Sequence, residues 1–247
     1  MGFANNCTLA IMQPYFFPYW GHFCLIASTQ AWVVFDTPQY TPRSWMNRNR
    51  ILHAREGWQY LTVPLSNSSI NISIKDVLLV SRKKSAQALS SKLEHYRKRA
   101  PFFNKCMAVF ETAFNSVQDD RLVSLNIATL ATVCNYLEIP FNYRIASELN
   151  LKLPGSLRSG QWAPNIAERL GAHTYINPIN GNALFDTSEF SEAGVSLSFL
   201  EHEQLSYACN GYEFQTSLSI IDAMMWLSPS KLSEVIHTKY SIRQENL

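Results

Sequence analysis

The fold class is indicated by one stretch near the N-terminus, residues 8–36, TLAIMQPYFFPYWGHFCLIASTQAWVVFD. The short apolar run at residues 8–13 predicts a buried strand, and residues 21–29 have the spacing of a helix. A second apolar run at residues 31–35 predicts another buried strand. A strand–helix–strand of this length is typical of a parallel α/β unit. We therefore expect an α/β fold with a mostly parallel sheet near the N-terminus.

The middle of the chain predicts a hairpin and then a layer of helices. Apolar runs at residues 51–53 and 60–63 flank Gly57, which indicates a β-hairpin with that glycine in its turn. Residues 74–80, IKDVLLV, predict a further strand. Between residues 83 and 137 the apolar spacing becomes helical, so we expect a central helical layer.

The length and composition predict one globular domain over residues 1–247. The chain has 47% hydrophobic and 16% charged residues, and it shows neither an internal repeat nor a clear linker. The net charge of +2 gives no reason to expect a nucleic-acid partner. The five cysteines are scattered and odd in number, which argues against a disulfide framework or a structural zinc site. Because we also find no signal peptide and no membrane-spanning stretch, we expect a cytoplasmic protein without membrane insertion.

Residues 36–51, DTPQYTPRSWMNRNRI, combine arginines, amides and rings, and they predict a binding site. Arginines offer paired hydrogen bonds to phosphate or carboxylate oxygens, and aromatic rings stack on a base or a sugar. If Arg48 and Arg50 lie in a strand, they share one face. The candidate substrate-binding residues are Gln39, Tyr40, Trp45, Asn47, Arg48, Asn49 and Arg50. The alternative interpretation is a basic edge strand exposed to solvent.

Three residues are candidates for catalysis. Gln13 and Asp36 follow the first two predicted strands, at the edge of the sheet where ligands of parallel α/β folds bind. His22 follows Gly21 at the predicted helix start. Nucleotidylyltransferases carry a His-x-Gly-His motif at such a position, but only the Gly-His part is present here, and a lone histidine is more often structural. Asp36 or His22 would serve as a general base.

Other catalytic and cofactor motifs are missing from the sequence. We find no G-x-S-x-G motif, and the glycine patterns of phosphate-binding and dinucleotide-binding loops are also absent. No cofactor and no metal ion are therefore expected.

The order of several motifs resembles the WbqC-like protein family, which is found largely in bacterial loci for surface polysaccharide and O-antigen. The matching blocks are IMQPYFFPYWGHF (11–23), VVFDTPQY (33–40), NRNRI (47–51), WQYLTVPL (58–65), YINPINGNALFD (175–186), GVSLSFLEH (194–202) and LSIIDAMMWLS (218–228). The resemblance implies a transferase that modifies a nucleotide-activated amino sugar by acyl or aminoacyl transfer. Its partners would be a nucleotide sugar and a group donor, and oligomerisation is left open.

Two alternatives to the transferase stay open at this stage. The chain would otherwise be a non-catalytic protein that binds a sugar nucleotide or a partner enzyme, or a nucleotidyltransferase-like enzyme. The sequence also departs from the family pattern at two points. Met12 stands where the family usually has a histidine, and Asp36 is followed by Thr37 where two acidic residues are usual.

Overall fold

A computed structural model describes residues 7–245, which form one six-stranded sheet and a separate hairpin. The strands are β1 (Cys7–Met12), β2 (Ala31–Val34), β3 (Arg48–Leu52), β4 (Trp58–Thr62), β5 (Tyr143–Ile145), β6 (Ala172–Pro178), β7 (Ser196–His202) and β8 (Tyr240–Gln244). The α-helices are α1 (Trp20–Ala27), α2 (Arg82–Leu93), α3 (Phe103–Ser116), α4 (Leu122–Tyr136), α5 (Trp162–Arg169), α6 (Thr187–Glu192), α7 (Ile220–Trp226) and α8 (Pro229–Thr238).

The large sheet has the strand order β5-β2-β1-β6-β7-β8. Its first five strands pair in parallel, and only β8 runs antiparallel, against β7. The antiparallel pair β3–β4 forms the separate hairpin, and Gly57 in its turn has a φ of +65°. The predicted fold class is therefore confirmed.

Apolar side chains cover both faces of the sheet because successive strand residues point to opposite sides. On β1, Leu9 and Ile11 pack into a core with α5 and α6, whereas Ala10 packs into the core on the other face. On β2, Val33 and Val34 divide between the two cores in the same way. The larger core also contains α1, α3, α4 and α7, which include the predicted helical layer.

The predicted strand at residues 74–80 is wrong. Ile74–Asp76 form a turn of 3-10 helix, and the residues that follow make only isolated bridges, including one between Leu79 and Leu65. Ile74 and Val77 are both fully buried in the larger core. Residues three apart lie on one side of a 3-10 turn but on opposite faces of a strand, so burial of both favours the turn.

Within residues 7–245, no helix has the length and apolar character that crossing a bilayer requires.

Candidate functional site

The candidate site lies at the carboxyl edge of the parallel strands. β1 pairs with β2 on one side and with β6 on the other, so the chain reverses its direction of winding at this point. The gap between β1 and β6 is therefore the topological switch point, where open α/β sheets bind their ligands. Gln13 follows β1 directly, and Asn177 lies near the end of β6.

A cavity of about 330 Å³ opens at this switch point, and we call it the switch-point cavity. It is lined by Ile11, Met12, Gln13, Tyr15, Phe35, Pro38, Ser159, Trp162, Ala163, Tyr175, Asn177, Leu184 and Phe185. Two pairs of rings, Phe35 with Trp162 and Tyr175 with Phe185, each have centroids 5.6 Å apart. An apolar wall with a few polar groups is typical of a small-molecule site.

The polar group at the end of β6 is held in a fixed position. Asn177 donates a hydrogen bond from Nδ2 to the hydroxyl of Tyr175 at 2.7 Å. The backbone of Gly181 approaches the same amide so closely that a Cβ there would lie 2.5 Å from Asn177 Oδ1. The Asn177 side chain is therefore fixed from two sides at the cavity wall.

A second cavity of about 300 Å³ adjoins the first, and we call it the arginine cavity. It is lined by Tyr15, Pro18, Tyr19, Trp45, Asn49, Arg50, Asn180, His202 and Ser217. Tyr15 lines both cavities, so a ligand in one lies a single side chain away from a ligand in the other. A third cavity of about 330 Å³ lies beside residues 203–218 and shares His202 and Ser217 with the arginine cavity.

His202 ends β7 and has both ring nitrogens engaged. Nδ1 lies 2.8 Å from the backbone oxygen of Glu203, and Nε2 lies 3.3 Å from the hydroxyl of Tyr19. Because a carbonyl oxygen only accepts, Nδ1 carries the proton and Nε2 keeps its lone pair. Burial raises the pKa of Tyr19, so its phenol stays protonated and donates to that lone pair. Nε2 of His202 is therefore the acceptor nitrogen of the ring, and a ligand reaches it by displacing the Tyr19 hydroxyl.

Gly21 makes this position of His202 feasible. A Cβ on residue 21 would lie 2.5 Å from Cδ2 and 2.6 Å from Nε2 of His202, and 2.5 Å from Cε2 of Tyr19. No side chain fits into that space without moving the two rings. The glycine of the Gly21-His22 pair thus allows the histidine at the end of β7 to pack against the start of α1.

Buried polar side chains hold residues 13–19 between β1 and α1. Asn126, from α4, donates to the backbone oxygens of Pro14 and Met46, both at 2.8 Å. The Phe17 oxygen accepts from Asn49 Nδ2 at 2.9 Å and from Ser219 Oγ at 2.7 Å. Phe17 has a φ of +37°, which is unfavourable for a residue with a Cβ, and these bonds help to fix it.

The three candidate catalytic residues lie in different surroundings. Gln13 lines the switch-point cavity. Asp36 is buried, and its carboxylate accepts hydrogen bonds from the backbone N–H of Ser147 at 2.9 Å and from the Ser147 hydroxyl at 2.6 Å. His22 is also buried, and its ring packs against Trp32 with centroids 5.1 Å apart. Neither Asp36 nor His22 lines the switch-point or the arginine cavity.

The surroundings of His22 determine its charge. Burial lowers the pKa of its imidazole to about 3, so the ring is neutral at physiological pH. Its Nε2 is buried and has no hydrogen-bond partner within the described residues. Ring contacts with Tyr15 and Phe23 complete the packing.

Three of the seven candidate substrate-binding residues line the arginine cavity: Trp45, Asn49 and Arg50. The guanidinium carbon of Arg50 lies 5.5 Å from the ring centroid of Trp45 and 5.1 Å from that of Trp58. Its Nη2 donates to the backbone oxygen of Ser217 at 3.2 Å. These contacts hold the cation at the wall of the cavity.

The other four candidates, Gln39, Tyr40, Asn47 and Arg48, line neither cavity. The Tyr40 hydroxyl donates to Asn47 Oδ1 at 3.2 Å, and Asn47 Nδ2 donates to the Val63 oxygen at 3.1 Å. Gln39 Nε2 donates to the backbone oxygen of Ile70. Arg48 lies over the ring of Tyr60 at 4.1 Å and shares one hairpin face with Arg50, as the alternation predicts.

A buried acidic network lies beneath the third cavity. Asp222, in the first turn of α7, accepts hydrogen bonds from the hydroxyls of Tyr96 and Tyr207 and from the Leu52 N–H. Burial raises the pKa of Asp222 to about 6, although these hydrogen bonds act in the opposite direction. The network joins the hairpin, α7 and residues 203–219.

The cysteine thiols and the other potential metal ligands are dispersed over the described residues. The five cysteines are buried and unpaired, and burial raises the pKa of Cys24 to about 12. Within residues 7–245, no cluster of three or more histidine, cysteine or acidic side chains is arranged to hold a metal ion.

The sequence analysis missed His202 and Asn177 as site residues. Both lie at or near the end of a parallel strand, His202 at the end of β7 and Asn177 near the end of β6. The same strand-end argument that selected Gln13 and Asp36 would have selected these two residues.

Comparison with known proteins identifies the family. The model of the WbqC-like protein family matches residues 13–234. This chain belongs to that family. The WbqC-like match includes His202. It also includes the two segments that contribute most of the switch-point cavity wall, residues 13–38 and 159–185. The chain is also 26% identical over 218 residues to Uncharacterized protein Rv1507c of Mycobacterium tuberculosis strain H37Rv, covering 87% of this chain and 92% of the relative. No solved structure matches the chain.

Proposed function

We propose that this WbqC-like protein is a transferase of bacterial surface-polysaccharide (O-antigen) biosynthesis that modifies a nucleotide-activated amino sugar by acyl or aminoacyl transfer. The observation that carries the proposal is the orientation of His202, whose Nε2 is directed to Tyr19 in a cavity that Arg50 also lines. A base and a cation in one cavity suit an amine acceptor that carries a diphosphate.

The arginine cavity would hold the nucleotide sugar. Arg50 offers N–H donors to the diphosphate oxygens, and the half-exposed ring of Trp45 offers a stacking surface for the base or the sugar. Asn49 takes a supporting role, because its amide already bonds the Phe16 and Phe17 oxygens and the Arg50 N–H. It thereby fixes the backbone on which Arg50 stands.

His202 would act as the general base in the transfer. The amine nitrogen of the sugar attacks the carbonyl carbon of an activated ester or thioester, and a C–N bond forms. The amine displaces the Tyr19 hydroxyl from Nε2 of His202, and Nε2 then takes the proton that the amine loses. The bond between the carbonyl carbon and the leaving oxygen or sulfur then breaks, and the leaving group takes the proton from the imidazolium. The Nδ1–H bond to the Glu203 oxygen keeps the ring in place during both proton transfers.

The two alternatives remain distinguishable by experiment. A non-catalytic binding protein would use the same arginine cavity without turnover. A nucleotidyltransferase would need an imidazole at the start of α1. His202 packs against that helix start and lines a cavity, whereas His22 is buried.

We also propose a cytoplasmic location, where the five unpaired cysteines would stay reduced.

Mass spectrometry tests the proposal directly. The protein is incubated with a panel of nucleotide amino sugars, together with acyl and aminoacyl thioesters, and the masses of the sugar nucleotides are then measured. A mass increase equal to the transferred group is the expected result. Saturable binding of a sugar nucleotide without any mass change would favour the binding protein, and release of pyrophosphate from a nucleoside triphosphate would favour nucleotidyl transfer.

A further inference from the structure

The switch-point cavity differs from the arginine cavity in the chemistry of its wall. Among the described residues that line the switch-point cavity, none carries a charge. Its wall is formed mainly by aliphatic and aromatic side chains, including Met12, Trp162 and Phe185. The arginine cavity, by contrast, contains Arg50 and His202. The two cavities therefore suit ligands of different polarity.

The polar groups of the switch-point cavity are neutral amides and hydroxyls. Gln13 lies at its β1 side, and Asn177, held by Tyr175 and Gly181, lies at its β6 side. An amide of this kind bonds to a carbonyl or an N–H of a ligand without requiring a charge. The cavity volume of about 330 Å³ is at the lower end of the range for small-molecule sites, so its occupant is short.

The carboxylates near this cavity are occupied by other partners. A neighbouring cavity shares Leu184 and Phe185 and also contains Glu189. Glu189 accepts from Arg158 at 2.7 Å and from Gln161 at 2.8 Å. Asp186 accepts from the backbone and hydroxyl of Ser188 at the start of α6. Since neither carboxylate lines the switch-point cavity, an ammonium group there would lose its water without an anionic partner in the wall.

We propose that the switch-point cavity binds the acyl group of the donor, and that it selects a short uncharged acyl group over an aminoacyl group. This inference rests on the proposed transferase function, because the cavity meets the one that would hold the acceptor amine at Tyr15, which lines both. The acyl carbonyl would lie towards Tyr15, and the hydrocarbon end would lie against Met12, Trp162 and Phe185.

Two small thioesters of N-acetylcysteamine test the selection because they are nearly isosteric. The propionyl probe ends in a methyl group, and the glycyl probe ends in an ammonium group of similar size. Binding to the full chain is followed by ligand-observed NMR titration near pH 6, where the glycyl amine is charged. We expect the propionyl probe to bind at least about tenfold more tightly, because the ammonium must be desolvated without a counter-ion.

Variants at the cavity mouth give a matched comparison. Leu184 is exposed at the mouth, so Leu184→Asp supplies an anion there without disturbing the core. It should remove the preference for the propionyl probe. Leu78→Asp places the same charge at another exposed leucine that does not line the cavity, and should keep the preference. Ala163→Leu, which fills the cavity from α5, should weaken propionyl binding at least about tenfold.

The results separate this inference from the proposed function. Preferred glycyl binding, equal binding of the two probes, or no binding of either at millimolar concentration would overturn the inference. Unchanged preference in Leu184→Asp would overturn it as well. A propionyl preference without any transfer to sugar nucleotides would support the cavity assignment and overturn the transferase. Transfer of a glycyl group in preference to a propionyl group would leave the transferase standing and overturn the selection.

Discussion

Residues 13–19 have an inner side that faces the core and an outer side that faces the cavities, and both sides carry aromatic rings. On the inner side, Phe16 and Phe17 are fully buried in the larger core, and the backbone is held by buried amides and a hydroxyl. On the outer side, Tyr15 and Tyr19 line the cavities and Tyr19 bonds to His202. One short segment thus carries both the packing of the core and the wall of the candidate site.

The comparison shows that residue type alone does not reveal function here. Asn126 and Asn177 are both buried amides, yet Asn126 bonds two backbone oxygens in the core and Asn177 faces a cavity. The histidine within α1 and the histidine packed against its start differ in the same way. His22 is buried among rings and neutral, whereas His202 lies at a cavity with each ring nitrogen engaged.

The largest expected effect is on the outer side, at His202. We expect His202→Ala to lower the rate of group transfer about 10²–10⁴-fold, because the acceptor amine would lose its general base. Steady-state kinetics of the transfer, followed by mass spectrometry, measure this change. His237→Ala is the control, since His237 is exposed at the end of α8 and bonds only within its own helix. Equal rates in the two variants would contradict the role of His202.

The inner side should affect stability rather than chemistry. Asn126→Ala leaves two buried backbone oxygens, those of Pro14 and Met46, without their donor. We expect a loss of roughly 2–4 kcal/mol in the free energy of unfolding, measured by urea denaturation. Asn104→Ala, at an exposed position of α3, should change that free energy by less than about 0.5 kcal/mol. If Asn126→Ala were as stable as Asn104→Ala, the inner bonds would not hold this segment.

The buried carboxylate of Asp222, in the core beneath the third cavity, makes the stability of the fold depend on pH. Burial raises its pKa from the ordinary 3.8 to about 6, so the folded state binds a proton more tightly than the unfolded state. The stability from this group is present below about pH 4 and is lost as the pH rises through 6. The loss is about 3 kcal/mol at 1.36 kcal/mol for each pKa unit.

Chemical denaturation at pH 4 and pH 7 tests this sign with Asp222→Asn. The amide oxygen of an asparagine can still accept from Leu52 and Tyr96, and its Nδ2 can donate to the Tyr207 hydroxyl oxygen, so the fold should persist. The variant should lose less stability between the two pH values than the wild type. Asp76→Asn, at an exposed aspartate, should keep the wild-type slope. A slope unaffected by Asp222→Asn would refute this account of the network.

The smallest expected effect distinguishes two arginines on one hairpin face. Arg50 lines the arginine cavity and Arg48 does not, so Arg50→Ala should weaken uridine diphosphate binding by about 1.5–3 kcal/mol and Arg48→Ala by less. Isothermal titration calorimetry gives both values. Arg97→Ala, which removes an exposed ion pair with Glu94, is the control. Equal losses of binding free energy in Arg48→Ala and Arg50→Ala would contradict this distinction and would mean that both arginines contact the ligand.

The fold was largely predictable because its signals are local. The apolar runs of β1 and β2 could be recognised because the strands of a parallel sheet are buried on both faces. The segment at Ile74 was not predictable in this way, since a short apolar run such as residues 74–80 suits a strand as well as a 3-10 turn, and only packing decides.

The candidate site was only partly predictable because it depends on which strands become neighbours. Gln13 could be placed from its position after β1. The amide on the other side of the same cavity, Asn177, comes from β6, more than 160 residues later. The close approach of Gly21 to His202 is likewise a tertiary contact that no local pattern encodes. The rings and arginines of residues 36–51 did select Trp45 and Arg50, which line the arginine cavity.

A crystal structure of the ternary complex would test the central claim most directly. The complex would contain a nucleotide amino sugar and a non-transferable amide analogue of the propionyl donor. The account predicts the diphosphate against Arg50, the propionyl group in the switch-point cavity, and the amine nitrogen about 2.6–3.2 Å from His202 Nε2. It would be contradicted if the two ligands bound on opposite sides of the sheet, or if the amine lay out of reach of His202 even through one water.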